Sequence, residues 1–199
     1  MSYMLQFPSS CSPLPANIRE PPYVHFIIQG KDTYGKLPDK IPLTMVLHFA
    51  PAMRKWVVPT PESMSTSITY MFLRTPYVGI NILAPINAVG LHWIINRMLQ
   101  VAGIKHLTPE FNTIPNVLTS VKILRAWQLL GLEEKGTEML KMHLLSRMWM
   151  IPVTLEEVKL IWKECDHKSP IIKEMAMNIF RSFVDYTITG KEFYDIRDY

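Results

Sequence analysis

The residues best suited to chemistry in this chain are its histidines and cysteines, and their spacing gives them few ways to act together. Cys165, Asp166 and His167 are consecutive, which is poor spacing for three ligands of one metal ion, so we interpret the polar pair as part of a turn. His92 and Asn96 lie one helical turn apart, but no second cluster of His, Cys or carboxylate ligands accompanies them. The sequence therefore predicts no metal site.

Motifs for nucleophilic or phosphate chemistry are also missing from the sequence. The eight glycines are all isolated, so there is no Gly-rich phosphate loop, and no Gly-x-Ser-x-Gly sequence occurs. His25 and His48 lie among apolar residues of a predicted strand and a predicted helix, where a core imidazole is more common than a ligand. We expect a protein that is not an enzyme, with no catalytic residue and no cofactor.

One enzymatic or ligand-binding alternative stays open, because 13 methionines and five tryptophans could line a pocket for a small molecule. A hydrolase of this kind would need titratable groups that converge only in the folded chain. Where such apolar residues exceed the needs of a core, they indicate an exposed apolar patch and a protein partner. The densest group is Met139, Met142, Met148, Trp149 and Met150.

Composition indicates a globular protein, because 48% of the residues are hydrophobic and the mean hydropathy is +0.09. The net charge of +4 comes from basic residues that are scattered over positions 1–110. A nucleic-acid partner usually requires a clustered basic face, so a nucleic-acid-associated regulator is only an alternative. Two cysteines and the lack of a signal peptide favour an intracellular protein of the cytoplasm or nucleus. Asn, Pro and His residues interrupt the uncharged stretch 75–96, so no membrane span is expected.

The pattern along the chain predicts an α+β fold. Residues 1–22 are rich in proline and serine and are expected to form a flexible leader. Residues 23–132 are predicted to combine strands and helices. Residues 133–186 are predicted to form a helical extension, and residues 187–199 a weakly ordered polar tail. The predicted sheet is small, with about three strands covered by helices.

Strands are predicted where β-branched and aromatic residues concentrate, at Tyr23 to Gln29, Ile68 to Leu73 and Tyr77 to Leu83. Pro42 suits the start of a short helix, which Pro51 then interrupts. The segment between Pro59 and Ser67 reads as a loop. Further helices are predicted from Pro85 or Asn87 to Gln100, from Asn116 to Leu130 and from Glu133 to Met148.

The clearest start signals belong to a helical hairpin near the C-terminus. Thr154 and Glu157 form a Thr-x-x-Glu capping box, and Ser169 precedes Pro170 at the first position of the next helix. Helical spacing places Val158, Ile161, Trp162 and Cys165 on the apolar stripe of the first helix. The stripe of the second comprises Ile172, Met175, Ala176, Ile179, Phe180 and Phe183.

Several of these segments resemble BTB/POZ domains. Ile41-Pro42 followed by Phe49 to Arg54 resembles the segment in which a strand end enters a helix that finishes with Ser-Pro-aromatic-aromatic-Arg. Leu91 to Leu99 resembles the helix that ends in Trp-Leu-Tyr, and Val121 to Leu132 looks like the helix that ends in Leu-Ala-Asp-Lys-Tyr. Glu157 to Ile172 is similar to the C-terminal helical extension of many fungal BTB-like proteins.

The resemblance spans Tyr23 to Val184 and implies a BTB-like domain with a helical extension. It also implies a non-catalytic protein-protein interaction module that forms homodimers and serves as a scaffold or adaptor. The expected dimer surface consists of Met45, Phe49, Met53 and Trp56.

Two departures from the family pattern limit the partners that the resemblance implies. Pro22 occupies the place of an Asp that helps to line the peptide pocket of the family, so binding of co-repressor-type peptides is not expected. The stretch from Ile104 to Phe111 lacks the apolar-x-Glu signal with which some members bind a cullin scaffold. A ubiquitin-ligase adaptor role therefore has no support in these residues.

Overall fold

The structure, a computed structural model, describes residues 4–7, 13–58, 77–104 and 113–199. It has the predicted α+β architecture, with a mixed five-stranded sheet and helices in the N-terminal part and a run of helices in the C-terminal part. The predicted loop at residues 59–67 and the predicted strand at 68–73 lie outside the described residues.

The sheet is built around its first strand. The strands are β1 (Tyr23–Ile28), β2 (Lys31–Asp32), β3 (Ile41–Pro42), β4 (Val57–Val58) and β5 (Tyr77–Ile82). Strand β1 pairs with β2 and β3 in antiparallel fashion and with β5 in parallel, while β4 pairs with the other edge of β5. Side chains alternate along β1, so that Val24, Phe26 and Ile28 enter the core.

The helices are α1 (Leu43–Phe49), α2 (Ala88–Val101), α3 (Val117–Leu129), α4 (Glu138–Met150), α5 (Leu155–Glu164), α6 (Pro170–Val184) and α7 (Gly190–Arg197), with 3-10 helices at Pro51–Trp56 and Glu134–Thr137. The predicted capping box and serine cap are confirmed. The Thr154 hydroxyl accepts from the Glu157 amide while the Glu157 carboxylate accepts from the Thr154 amide, and the Ser169 hydroxyl accepts from the Ile172 amide.

Helices α2 and α3 form the centre of the helical layer and approach each other closely at Gly90. A β-carbon at this position would lie 2.3 Å from the carbonyl oxygen of Lys122. Only glycine permits this separation of the two backbones. Helix α3 buries Val121, Leu124 and Trp127, and the indole of Trp127 donates to the Glu133 carbonyl at 2.8 Å.

Described residues near both ends of the chain take part in structure that the sequence did not indicate. Met4 and Leu5 are buried, and the amide of Gln6 donates to the Gly136 carbonyl at 2.9 Å. These contacts are long-range in sequence, so the proline-rich composition of the leader does not reveal them. The predicted weakly ordered tail forms helix α7, which begins with a capping box at its N-terminus.

The buried faces of the hairpin helices differ from the predicted stripes. On α6, Ala176, Phe180 and Phe183 are exposed, whereas Asn178 and Ser182 are buried. On α5, Trp162 is also exposed. Spacing identifies an apolar stripe, but the hydrogen bonds that α6 makes with its neighbours decide which face turns inward. Among the described residues, none of the helices combines the length and apolar content needed to cross a bilayer.

Candidate interaction surface

The four residues expected to form a dimer surface are in the interior of the chain. Met45, Phe49, Met53 and Trp56 are all buried, because α1 and the 3-10 helix after it turn their apolar side toward the sheet and α2. Phe7 of the leader also covers Phe49, with ring centroids 4.6 Å apart. These side chains therefore offer no exposed surface in the single chain, and the dimer surface expected from the sequence stays a prediction.

A large apolar surface instead lies on the C-terminal helices. Helix α4 buries Leu140, Leu144 and Met148, which recur every four residues, and its opposite side is open to solvent. We define the apolar face as the exposed residues Met142, Trp149, Met150, Ile151, Met177, Phe180 and Val184. In the sequence, five apolar residues of α4 indicate an exposed patch. Four of them are exposed and Met148 is buried; the exposed ones are Met139, Met142, Trp149 and Met150.

Helix α6 continues this face beyond α4. The Arg181 guanidinium lies over the Trp149 ring, 3.9 Å from its centroid, and is paired with the Glu174 carboxylate. Glu174 also lines a shallow cavity of about 390 Å³ with Trp149 and Met150. Met177 is one helical turn from each of these charged residues, and Phe180 is its neighbour on the outer side of α6. The two helices therefore present one apolar surface with a single ion pair at their junction.

Asn178 fixes the relative position of α4 and α6. Its side-chain oxygen accepts from the Val153 amide at 2.9 Å, and its side-chain nitrogen donates to the carbonyls of Met148 and, at 3.0 Å, Ile151. The helix α4 ends at this point, where its last carbonyl groups lack partners within the helix. Asn178 supplies those partners from α6 and so explains why a polar residue is buried while Phe180 is exposed.

The apolar face is large for a surface exposed to water. Trp149 and Phe180 are 68% and 62% exposed. Aromatic side chains bury about 150–250 Å² each when covered, so these two leave roughly 300 Å² of side-chain surface in contact with water. Five further aliphatic and methionine side chains extend the same surface. Contiguous exposed apolar areas of more than a few hundred Å² are typical of interaction sites.

The candidate chemical groups occupy structural positions. His92 Nδ1 lies 2.5 Å from the Lys36 carbonyl oxygen, and the side-chain nitrogen Nδ2 of Asn96 donates to the His92 carbonyl at 3.0 Å. His25 Nε2 is 2.9 Å from Asp32 Oδ1, which joins β1 to β2. His48 packs edge-on against the Phe49 ring. Within the described ranges, no three His, Cys, Asp or Glu side chains gather in a geometry that could hold a metal ion.

The Cys165 thiol is poorly suited to nucleophilic chemistry. Burial, together with the nearby Glu164 carboxylate, raises its pKa to about 11. The thiolate is the reactive form of cysteine, and at neutral pH almost none of it would be present. Cys165 closes the C-terminus of α5, where its amide donates to the Ile161 carbonyl.

No protein-family model, curated protein or solved structure matches this chain. The resemblance to BTB/POZ domains therefore rests on the sequence segments that carry it and stays a prediction.

Proposed function

We propose that this chain is a non-catalytic protein-interaction module that self-associates through the apolar face of α4 and α6. The observation that carries the proposal is the exposure of Trp149, Met150 and Phe180 on one surface, beside the hydrophobic core that the described residues form. Covering this surface with a second copy would remove large apolar side chains from water, which stabilises association.

The electrostatics of the apolar face suit contact between two identical surfaces. Its central charged groups, Glu174 and Arg181, are already paired with each other, so this ion pair adds no net charge to the centre of the face. In a two-fold dimer the same patch serves both partners, and the α4 side of one copy would meet the α6 side of the other. The two rings and the five further apolar side chains would form the apolar centre of such an interface, which ordinarily buries roughly 800 Å² per partner.

The family resemblance supports the same class of function. Strand β3 enters α1, the helix breaks at Pro51, and helix α5 of the extension begins with the predicted capping box. This order agrees with the BTB/POZ-like segments in the sequence, for which dimerisation and an intracellular scaffold or adaptor role are implied. The apolar face differs from the dimer surface first expected, so we assign self-association to the helical extension rather than to α1.

The test is the solution mass measured by light scattering on a size-exclusion column over a range of protein concentrations. We expect a dimer for the natural chain and a monomer for Trp149→Glu and Phe180→Glu. Tyr34→Glu is the matched control, because Tyr34 is a highly exposed aromatic residue between β2 and β3. A monomer at every concentration, or a dimer that withstands both substitutions in the apolar face, would overturn the proposal.

A further inference from the structure

A second surface of the C-terminal region combines charge and apolar lining. Two cavities of about 380 and 420 Å³ lie side by side along α3; α5 also lines the first, and the α5–α6 hairpin also lines the second. Both are lined by Arg125 and Glu164, whose side chains form an ion pair at 3.5 Å between Nε and Oε2. The two cavities are therefore adjacent and share this ion pair, and we call them together the hairpin groove.

One end of the hairpin groove is basic. Its cavity is lined by Lys122 and Arg125 from α3 and by Lys163 and Glu164 from α5, which gives three cations and one anion. Among the described residues, neither Lys122 nor Lys163 forms an ion pair. The N-cap of α2, Asn87, lines the same cavity, and the positive end of that helix dipole adds to the potential.

The other end of the hairpin groove has an apolar floor. Val121 and Leu124 from α3, Leu145 from α4 and Ile171 from α6 line it. The Cys165 side chain also lines this cavity, and its thiol is neutral because burial raises its pKa to about 11. The charges around this cavity are balanced, because Lys141 pairs with Glu134 and Arg125 with Glu164, while Lys168 is two residues from Asp166. A cavity of this size and lining accepts a bulky apolar group.

We propose that the hairpin groove binds an acidic peptide segment of a partner protein. A bulky apolar side chain of the segment enters the cavity floored by Leu124 and Ile171, and its carboxylates pair with Lys122 and Lys163. Charge complementarity identifies the occupant, since the basic end holds two unpaired ammonium groups and the apolar end is neutral. An extended peptide can reach both adjacent cavities at once, whereas a compact small molecule fills only one of them.

This proposal deepens the proposed interaction function by naming a partner chemistry, yet it uses a different surface from the apolar face. The two can therefore fail separately. The Trp149→Glu chain, which we expect to be monomeric, should bind the peptide as tightly as the natural chain. Loss of self-association with retained peptide binding would show that the two surfaces are independent.

The experiment measures fluorescence anisotropy of labelled synthetic hexapeptides that carry one Phe or Leu followed by two Asp or Glu residues. Matched peptides contain Lys at the acidic positions, and a single-stranded DNA oligonucleotide serves as a third probe. We expect saturable binding of the acidic set alone, weakened by added salt because the pairing is electrostatic. Lys122→Glu and Lys163→Glu should each weaken binding about tenfold, equal to about 1.4 kcal/mol.

Lys191→Glu, on the exposed surface of α7, is the control for the change of net charge and should alter the affinity less than twofold. The hairpin-groove proposal is overturned if the acidic and basic peptides bind alike, or if none of the peptides binds. It is also overturned if Lys122→Glu and Lys191→Glu have equal effects. Tighter binding of the oligonucleotide than of every peptide would assign the basic end to nucleic acid instead.

Discussion

Replacing Asn178 with alanine should destabilise the chain far more than the loss of an exposed polar residue would. The side chain is buried and makes three hydrogen bonds, to the Val153 amide and to the carbonyls of Met148 and Ile151. With about 1 kcal/mol of net stabilisation from each bond, the loss is roughly 3 kcal/mol. The Val153 amide and the Met148 carbonyl are buried and would also be left without this partner, so the expected loss of free energy is at least this large.

Urea unfolding followed by circular dichroism and tryptophan fluorescence measures the effect on the free energy of unfolding. For a chain of this length, a loss of roughly 3 kcal/mol lowers the melting temperature by about 6–12 °C. Asn87→Ala is the matched control, because Asn87 is an N-cap asparagine with one hydrogen bond, to the Val89 amide. That change should cost only about 1 kcal/mol.

The comparison of the two asparagines can refute the reasoning. If Asn178→Ala costs no more than Asn87→Ala, the buried hydrogen bonds do not hold α4 against α6. Asn178→Asp adds a second check, since it would place a carboxylate oxygen against two carbonyl groups. Burial would raise the pKa of that carboxyl, so the folded chain would hold its proton more tightly and the variant would lose stability as the pH rises.

Two further changes test other parts of the structure. Gly90→Ala should lower the free energy of unfolding by about 1–3 kcal/mol, because the new β-carbon would lie 2.3 Å from the Lys122 carbonyl oxygen. Gly190→Ala is the control, since a β-carbon there has no neighbouring atom within 4 Å, and it should have a much smaller effect. Burial raises the pKa of the Cys165 thiol from the ordinary value of 9.0 to about 11 in the folded chain. The stability that goes with this raised pKa is present below pH 9 and should be lost as the pH rises from 9 to about 11. Urea unfolding of the natural chain and of Cys165→Ser from pH 8 upward checks this, and identical pH slopes for the two chains would contradict it.

The parts of the fold that follow from local sequence were predictable. Thr154 with Glu157, and Ser169 with Pro170, define helix starts through contacts within four residues, and the structure has both. Strand β1 likewise follows from its composition. Such signals depend on neighbours in the chain, so no knowledge of the tertiary fold is needed to read them.

The orientation of the helices could not be predicted in the same way. The apolar spacing of α6 permits Phe180 to face inward, but Asn178 is the residue whose side chain can satisfy the end of α4. That requirement arises from a segment about 30 residues earlier in the sequence. The burial of the residues expected at the dimer surface has a similar cause, since Phe49 is covered by Phe7 from the distant leader.

Helix α6 brings together the features on which both proposed surfaces depend. Its first turn, at Pro170 and Ile171, lines the hairpin groove, its middle is fixed by Asn178, and its outer side carries Phe180. Turning α6 to bury Phe180 would break the hydrogen bonds of Asn178 and move Ile171 away from the groove. The hydrogen-bonded orientation thus keeps a large aromatic side chain in water in the isolated chain. A partner that covers Phe180 would remove that unfavourable exposure, which is why the apolar face, rather than the core around α1, is where we place self-association.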